Sequence, residues 1–120
     1  METVFVIDDD HDTAEVVRTY LEMHKFKVCA CPSFEAALQA LQPGEPCIVL
    51  TDIQVPGQMT VEQFVLNVRQ QHPDVKVILF SARNDCAAYA KKVQAHSWLQ
   101  KPIDPEDVVK LTVEHCETAE

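Results

Sequence analysis

Four apolar runs in this sequence end on side chains that could carry group-transfer chemistry. Asp8, Asp9 and Asp10 follow Val4-Phe5-Val6-Ile7, and Asp52 closes the run Ile48-Val49-Leu50-Thr51. Ser81 follows Val77 to Phe80, and Lys101 follows Trp98-Leu99-Gln100. Carboxylates gathered at one place repel, at roughly 4 kcal/mol per like-charged pair 4 Å apart and an effective dielectric near 20. A hard divalent cation relieves that repulsion, and Mg²⁺ usually takes one or two carboxylates, several waters and a substrate phosphate oxygen. A carboxylate beside Mg²⁺, a lysine and a hydroxyl can act as the nucleophile in phosphoryl transfer, with positive charge placed where the transition state spreads its negative charge.

The runs that precede these residues read as strands. Val4 to Ile7, Cys47 to Leu50 and Val75 to Phe80 are apolar on both faces, as a covered parallel sheet requires. Val28 with Cys29 and Ser97-Trp98-Leu99 supply two weaker strands. Between them lie helical stripes: Val16, Val17, Tyr20 and Leu21; Phe34, Ala37, Leu38 and Leu41; Val61, Phe64, Val65 and Val68; Ala87, Ala90 and Val93; Val108, Val109, Leu111 and Val113. Thr60 with Gln63 fits a capping box, and Asp104 before Pro105 fits an N-cap followed by an N1 proline. Five β-α units in strict alternation predict an α/β fold with a doubly wound, five-stranded parallel sheet and right-handed crossovers. In such sheets ligands bind beyond the carboxyl ends of the strands, which is where Asp8, Asp9, Asp52, Ser81 and Lys101 fall.

Composition narrows the function. The 120 residues, with no linker or repeat among them, read as one domain, 1–120. At that size about two-thirds of the unfolded surface can be buried without disulfide staples. The formal charge of −9 disfavours direct binding to nucleic acid or to an anionic membrane surface. Only two glycines occur, Gly44 and Gly57, so neither the G-x-G-x-x-G dinucleotide loop nor the P-loop can form. Five cysteines without a C-x-x-C suit free thiols in a reducing compartment, so a cytoplasmic location is expected. Cys29 and Cys31 share one face of a strand with no second pair to complete a zinc site, His24 notwithstanding. No apolar run is long enough to span a membrane.

The segments Val4-Phe-Val-Ile-Asp-Asp-Asp10, Leu50-Thr-Asp-Ile-Gln-Val-Pro-Gly57, Val77-Ile-Leu-Phe-Ser-Ala82 and Trp98-Leu-Gln-Lys-Pro102 together resemble the receiver domain of two-component response regulators, over essentially the whole chain. The resemblance implies a flavodoxin-like (βα)5 fold with strand order 2-1-3-4-5. It implies that Asp52 accepts a phosphoryl group from the phosphohistidine of a sensor histidine kinase or phosphotransfer protein. Asp8, Asp9, Asp52 and the backbone carbonyl of Gln54 would hold Mg²⁺, Lys101 would pair with the phosphoryl oxygens and Ser81 would hydrogen-bond them. Trp98 would occupy the aromatic switch position that moves with Ser81. Gln54 and Arg83, each two positions beyond an active residue, would tune the phosphoryl lifetime. The domain would be regulatory rather than an enzyme, promoting only its own phosphorylation and dephosphorylation, and an output domain or protein, or a homodimer, would read its altered surface.

The chain also departs from that family. Val55 replaces the usual Met before Pro56, the loop Gly57-Gln-Met-Thr60 is one residue longer and lacks a second glycine, Gln94 stands where glycine commonly precedes alanine, and Trp98 is bulkier than Tyr or Phe. These differences motivate an alternative, a non-phosphorylated pseudo-receiver acting as a protein interaction module. A phosphatase of the haloacid-dehalogenase type would want Thr at the position of Asp12.

Overall fold

The computed structural model describes residues 2–116. The elements alternate as expected: β1 (Thr3–Ile7), α1 (His11–Met23), β2 (Lys27–Cys31), α2 (Phe34–Gln39), β3 (Ile48–Asp52), α3 (Val61–Gln71), β4 (Lys76–Ser81), α4 (Cys86–Lys92), β5 (Ser97–Gln100) and α5 (Pro105–Cys116). All neighbouring strands pair in parallel, in the order β2-β1-β3-β4-β5.

The both-face apolar pattern of β1, β3 and β4 has a direct cause in the layering. Alternate side chains of each strand point to opposite faces, so Phe5, Ile7, Val49, Val77 and Leu79 enter one core with Phe34, Phe64 and Val68. Val4, Val6, Leu50, Ile78 and Phe80 enter the other with Val17, Leu21, Val108 and Val109. The Phe34 and Phe64 rings stack with centroids 4.8 Å apart and tie α2 to α3. The caps form where the sequence places them: Thr60 and Gln63 make a reciprocal capping box, and the Asp104 carboxylate accepts the Glu106 N–H at the start of α5.

Several details differ from the sequence expectation. On α1 the inward stripe is Ala14, Val17 and Leu21, while Val16, about 100° around the helix from Val17, falls outside that stripe and is 45% exposed. Leu41 lies beyond the end of α2, and on α4 it is Cys86 rather than Ala87 that is buried with Ala90. Asp10 is the N-cap of α1, accepting the N–H groups of Asp12 and Thr13. The cysteines are not all free, since Cys47 and Cys116 are joined in a disulfide and Cys29, Cys31 and Cys86 are thiols. A spacing of 69 residues left that pair invisible to a search for local motifs. Among the described residues no helix is long and apolar enough to cross a membrane.

Candidate functional site

Strand register brings the polar residues to one rim. Ile7 is level with Thr51, Asp52 with Phe80, and Ser81 with Gln100, so Asp8, Asp52, Ser81 and Lys101 all emerge at the carboxyl edge of the sheet. The Lys101 N–H donates to the Ser81 carbonyl at 2.8 Å, which carries the chain off β5 across the mouth of β4. The Asp8 N–H donates to the Cys31 carbonyl and holds the start of the acidic loop against β2.

Lys101 is the centre of the cluster. Its Nζ donates to Asp8 Oδ2 at 2.8 Å and to Asp52 Oδ2 at 2.9 Å. The Asp8 side chain is fully covered, and those of Asp52 and Lys101 are only 13% and 18% exposed. The second oxygens are held by backbone: Asp8 Oδ1 accepts the Asp10 N–H at 2.9 Å, and Asp52 Oδ1 accepts the Gln54 N–H at 3.2 Å. Burial pushes the Asp8 carboxyl above its ordinary range, against the opposing pull of Lys101. Burial would lower Lys101, but the two carboxylates outweigh it and hold the ammonium above its usual value.

Asp9 is exposed, yet a carboxylate oxygen from each of Asp8, Asp9 and Asp52 lies within 4.8 Å of the others. Three carboxylates face one ammonium, so the site carries two uncompensated negative charges. All the donors are hard oxygens, and a small dication fits both the charge and the donor set.

The remaining predicted residues are placed less uniformly. Ser81 is buried, and its Oγ accepts the Arg83 N–H at 3.0 Å. Arg83 forks onto Asp85 at 2.9 and 2.8 Å, with Nη1 3.5 Å from Gln54 Oε1 and the guanidinium over the Tyr89 ring. The two candidate tuning residues therefore meet each other at the rim. Trp98 is 41% exposed on β5, paired in register with Leu79 and away from the carboxylates.

Three residues outside the sequence expectation support the rim. Gln100 donates its amide to the carbonyls of Ala82 and Arg83 at 3.1 and 2.9 Å, bracing the loop after Ser81. Asp85 orients Arg83, a pairing that the spacing Arg-x-Asp could have suggested. Glu35, on α2, accepts the N–H groups of Gln58 and Met59, both at 3.2 Å, and so anchors the unusual loop between β3 and α3. Gly57 has φ +123°, and a Cβ there would meet the Glu35 carboxylate. The one glycine in that loop is thus required twice over.

Known proteins with this sequence pattern and fold agree with one another. A family model described as the response regulator receiver domain matches residues 4–112. The DNA-binding transcriptional regulator NtrC of Escherichia coli K12 is 32% identical over 113 residues, which are 90% of this chain and 23% of that protein. An uncharacterised 14.6 kDa protein of Leptolyngbya boryana is 26% identical over 118 residues, 94% of this chain and 88% of its own. The chain therefore spans under a quarter of the NtrC regulator and most of the smaller relative. Among solved structures, the response regulator TrrA of Thermotoga maritima, in complex with Mg²⁺-BeF, superposes with a TM-score of 0.81 at 20% identity, covering 95% of this chain and 98% of that one. At that identity the likeness is one of fold.

Proposed function

The chain belongs to the response regulator receiver domain family, and from that premise we propose that residues 1–120 form one receiver domain whose Asp52 accepts a phosphoryl group in a Mg²⁺-dependent reaction. The observation that carries this reading is the position of Lys101 Nζ, within 3 Å of both Asp8 and Asp52, with Asp9 completing a set of three converging carboxylates.

In the proposed reaction the bond between phosphorus and the histidine nitrogen of a phosphorylated kinase or phosphotransfer protein breaks, and a bond to an Asp52 carboxylate oxygen forms. Asp52 is held for this by Lys101 and by the Gln54 N–H, one on each oxygen. Asp8, Asp9, Asp52 and the Gln54 carbonyl would hold Mg²⁺, which supplies charge neutralisation for the equatorial phosphoryl oxygens. Lys101 exchanges the Asp52 carboxylate for a phosphoryl oxygen, and Ser81 turns its hydroxyl from Arg83 to another. Withdrawal of the Ser81 oxygen from the Arg83 N–H carries the event into the loop after β4 and to the exposed ring of Trp98. Gln54 and Arg83, side by side at the rim, govern the access of water to the acyl phosphate. An output domain, a partner protein or a second copy reads the altered surface.

A small phosphodonor such as acetyl phosphate with Mg²⁺ tests this directly. Intact-mass measurement is expected to find one added phosphoryl group on the wild type and none on Asp52→Asn. Undiminished labelling of the variant would remove Asp52 from its role. No labelling of the wild type, with a partner bound equally well with and without donor, would favour the interaction-module reading.

A further inference from the structure

The disulfide lies at the end of the sheet opposite the carboxylates. Cys47 immediately precedes β3, and Cys116 is the last residue of α5. Their Cα atoms are 6.2 Å apart, inside the range a disulfide accepts without backbone movement. Cys47 is fixed on both sides, its N–H donating to the Thr3 carbonyl and its carbonyl accepting the Lys76 N–H, each at 3.0 Å. Cys116 is 4% exposed, whereas Cys47 is half-buried. A cavity of about 610 Å³, lined among others by Glu2, His72, His115 and both cysteines, opens onto the pair. A preformed pair at bonding distance, with one partner approachable from a cavity, is what thiol exchange requires.

We propose that Cys47 and Cys116 are a reversible oxidation site that takes a low-molecular-weight disulfide as oxidant, and that the crosslink fastens the far end of α5 to the sheet. The Cys47 thiolate attacks one sulfur of the small disulfide. That S–S bond breaks, a mixed disulfide forms on Cys47 and one small thiolate leaves. The Cys116 thiolate then attacks the Cys47 sulfur and expels the second small thiolate. The two protons lost by the cysteines end on the two released thiols, so the protein is oxidised by two electrons and the small disulfide is reduced by two.

The other thiols are less suited. Cys29 and Cys31 have sulfurs 3.7 Å apart, but they are two residues apart on one strand, and burial with the neighbouring Cys29 pushes the Cys31 thiol up to about 12. Cys86 is fully buried, its sulfur against the Leu99 carbonyl. The consequence of the crosslink follows from connectivity. α5 starts three residues after the Lys101-Pro102 bond and ends at Cys116, so a tether at its end restrains the helix that the rim lysine leads into. Closing a loop with a 69-residue separation also removes much of the freedom of the unfolded chain.

The inference is independent of whether Asp52 is phosphorylated, and its test does not use that reaction. The wild-type protein is equilibrated with reduced or with oxidised glutathione and its thiols are counted after denaturation. Five are expected in the reduced sample and three in the oxidised one, with a non-reducing digest yielding the peptide that joins Cys47 to Cys116. Oxidation should raise Tm by about 10 °C, and Cys47→Ser and Cys116→Ser should abolish that rise. Cys47→Ser, at the half-buried position, carries the test if Cys116→Ser does not fold. Five thiols after oxidation, glutathione retained as a mixed disulfide, a bond mapped to Cys29 and Cys31, or a crosslink that leaves Tm unchanged would each overturn the proposal.

Discussion

Lys101 Nζ and Asp8 Oδ2 lie 2.8 Å apart although 93 residues separate them in the chain. The lysine therefore pairs with the proposed metal-facing carboxylate of Asp8 as well as with Asp52, the proposed acceptor. A site read from sequence alone as mutually repelling acids is already part-neutralised from within, and a dication has to compensate two negative charges rather than three.

Removal of that ammonium leaves the covered Asp8 carboxylate without a counter-charge. Breaking a buried pair by deleting one partner typically costs 3–5 kcal/mol, and the partial exposure of Lys101 puts Lys101→Ala at about 3 kcal/mol of lost stability. Chemical denaturation in chelated buffer measures it. Millimolar Mg²⁺ should then stabilise the variant more than the wild type, because three unpaired carboxylates attract the ion more strongly than three with a lysine. A variant as stable as the wild type would show that the bridge contributes nothing.

The same charge count governs Asp52→Asn. The variant loses a carboxylate but keeps an oxygen for the Gln54 N–H, so its Tm in chelated buffer is expected to rise. A ligand at ten times its Kd adds about 1.4 kcal/mol to the stability of the state that binds it. Mg²⁺ should give the wild type most of that gain and Asp52→Asn less than half, measured as paired melting curves. Equal shifts in the two proteins would place the ion away from Asp52.

The fold was legible because its signals are local. Both-face apolar runs marked β1, β3 and β4, a capping box marked α3, and the polar residues that close each strand had to meet once the strands were parallel. What escaped depends on partners distant in sequence. Glu35 has no motif until α2 is laid beside the loop it holds, and Cys47 meets Cys116 only after every element between them is packed. The capping role of Asp10 depends on where the helix begins, and α1 begins one residue later, at His11. Gln94 is an unusual replacement for glycine, and its φ of 57° shows why glycine suits the position.

Glu35 gives the loop a test of its own. Its own backbone N–H and those of Gln58 and Met59 hold the carboxyl below the usual range, so the anchor is charged at neutral pH. In Glu35→Ala the amide protons of Gln58 and Met59 should exchange faster with solvent, while those of the middle of α3, secured by the Thr60–Gln63 capping box, stay protected. Hydrogen exchange resolved by residue reads both. Unchanged exchange at Gln58 and Met59 would mean that the loop holds its shape without the carboxylate.

Cys31 predicts the alkaline limit of the fold. Burial, then the charge and hydrogen bond of Cys29, push its thiol up to about 12, from an ordinary value of 9.0. Above pH 9 the unfolded chain therefore releases this proton while the folded chain keeps it, so the folded state binds more protons and stability falls as pH rises. The loss between pH 8 and pH 10 is on the order of 1 kcal/mol from this group alone. Other groups titrate in the same interval, so the measurement is a difference. Cys31→Val puts an apolar side chain suited to a strand on β2 and removes the thiol, and its stability should fall by about 1 kcal/mol less than that of the wild type over those two units. Parallel curves for the two proteins would show that the folded chain loses the Cys31 proton as readily as the unfolded one.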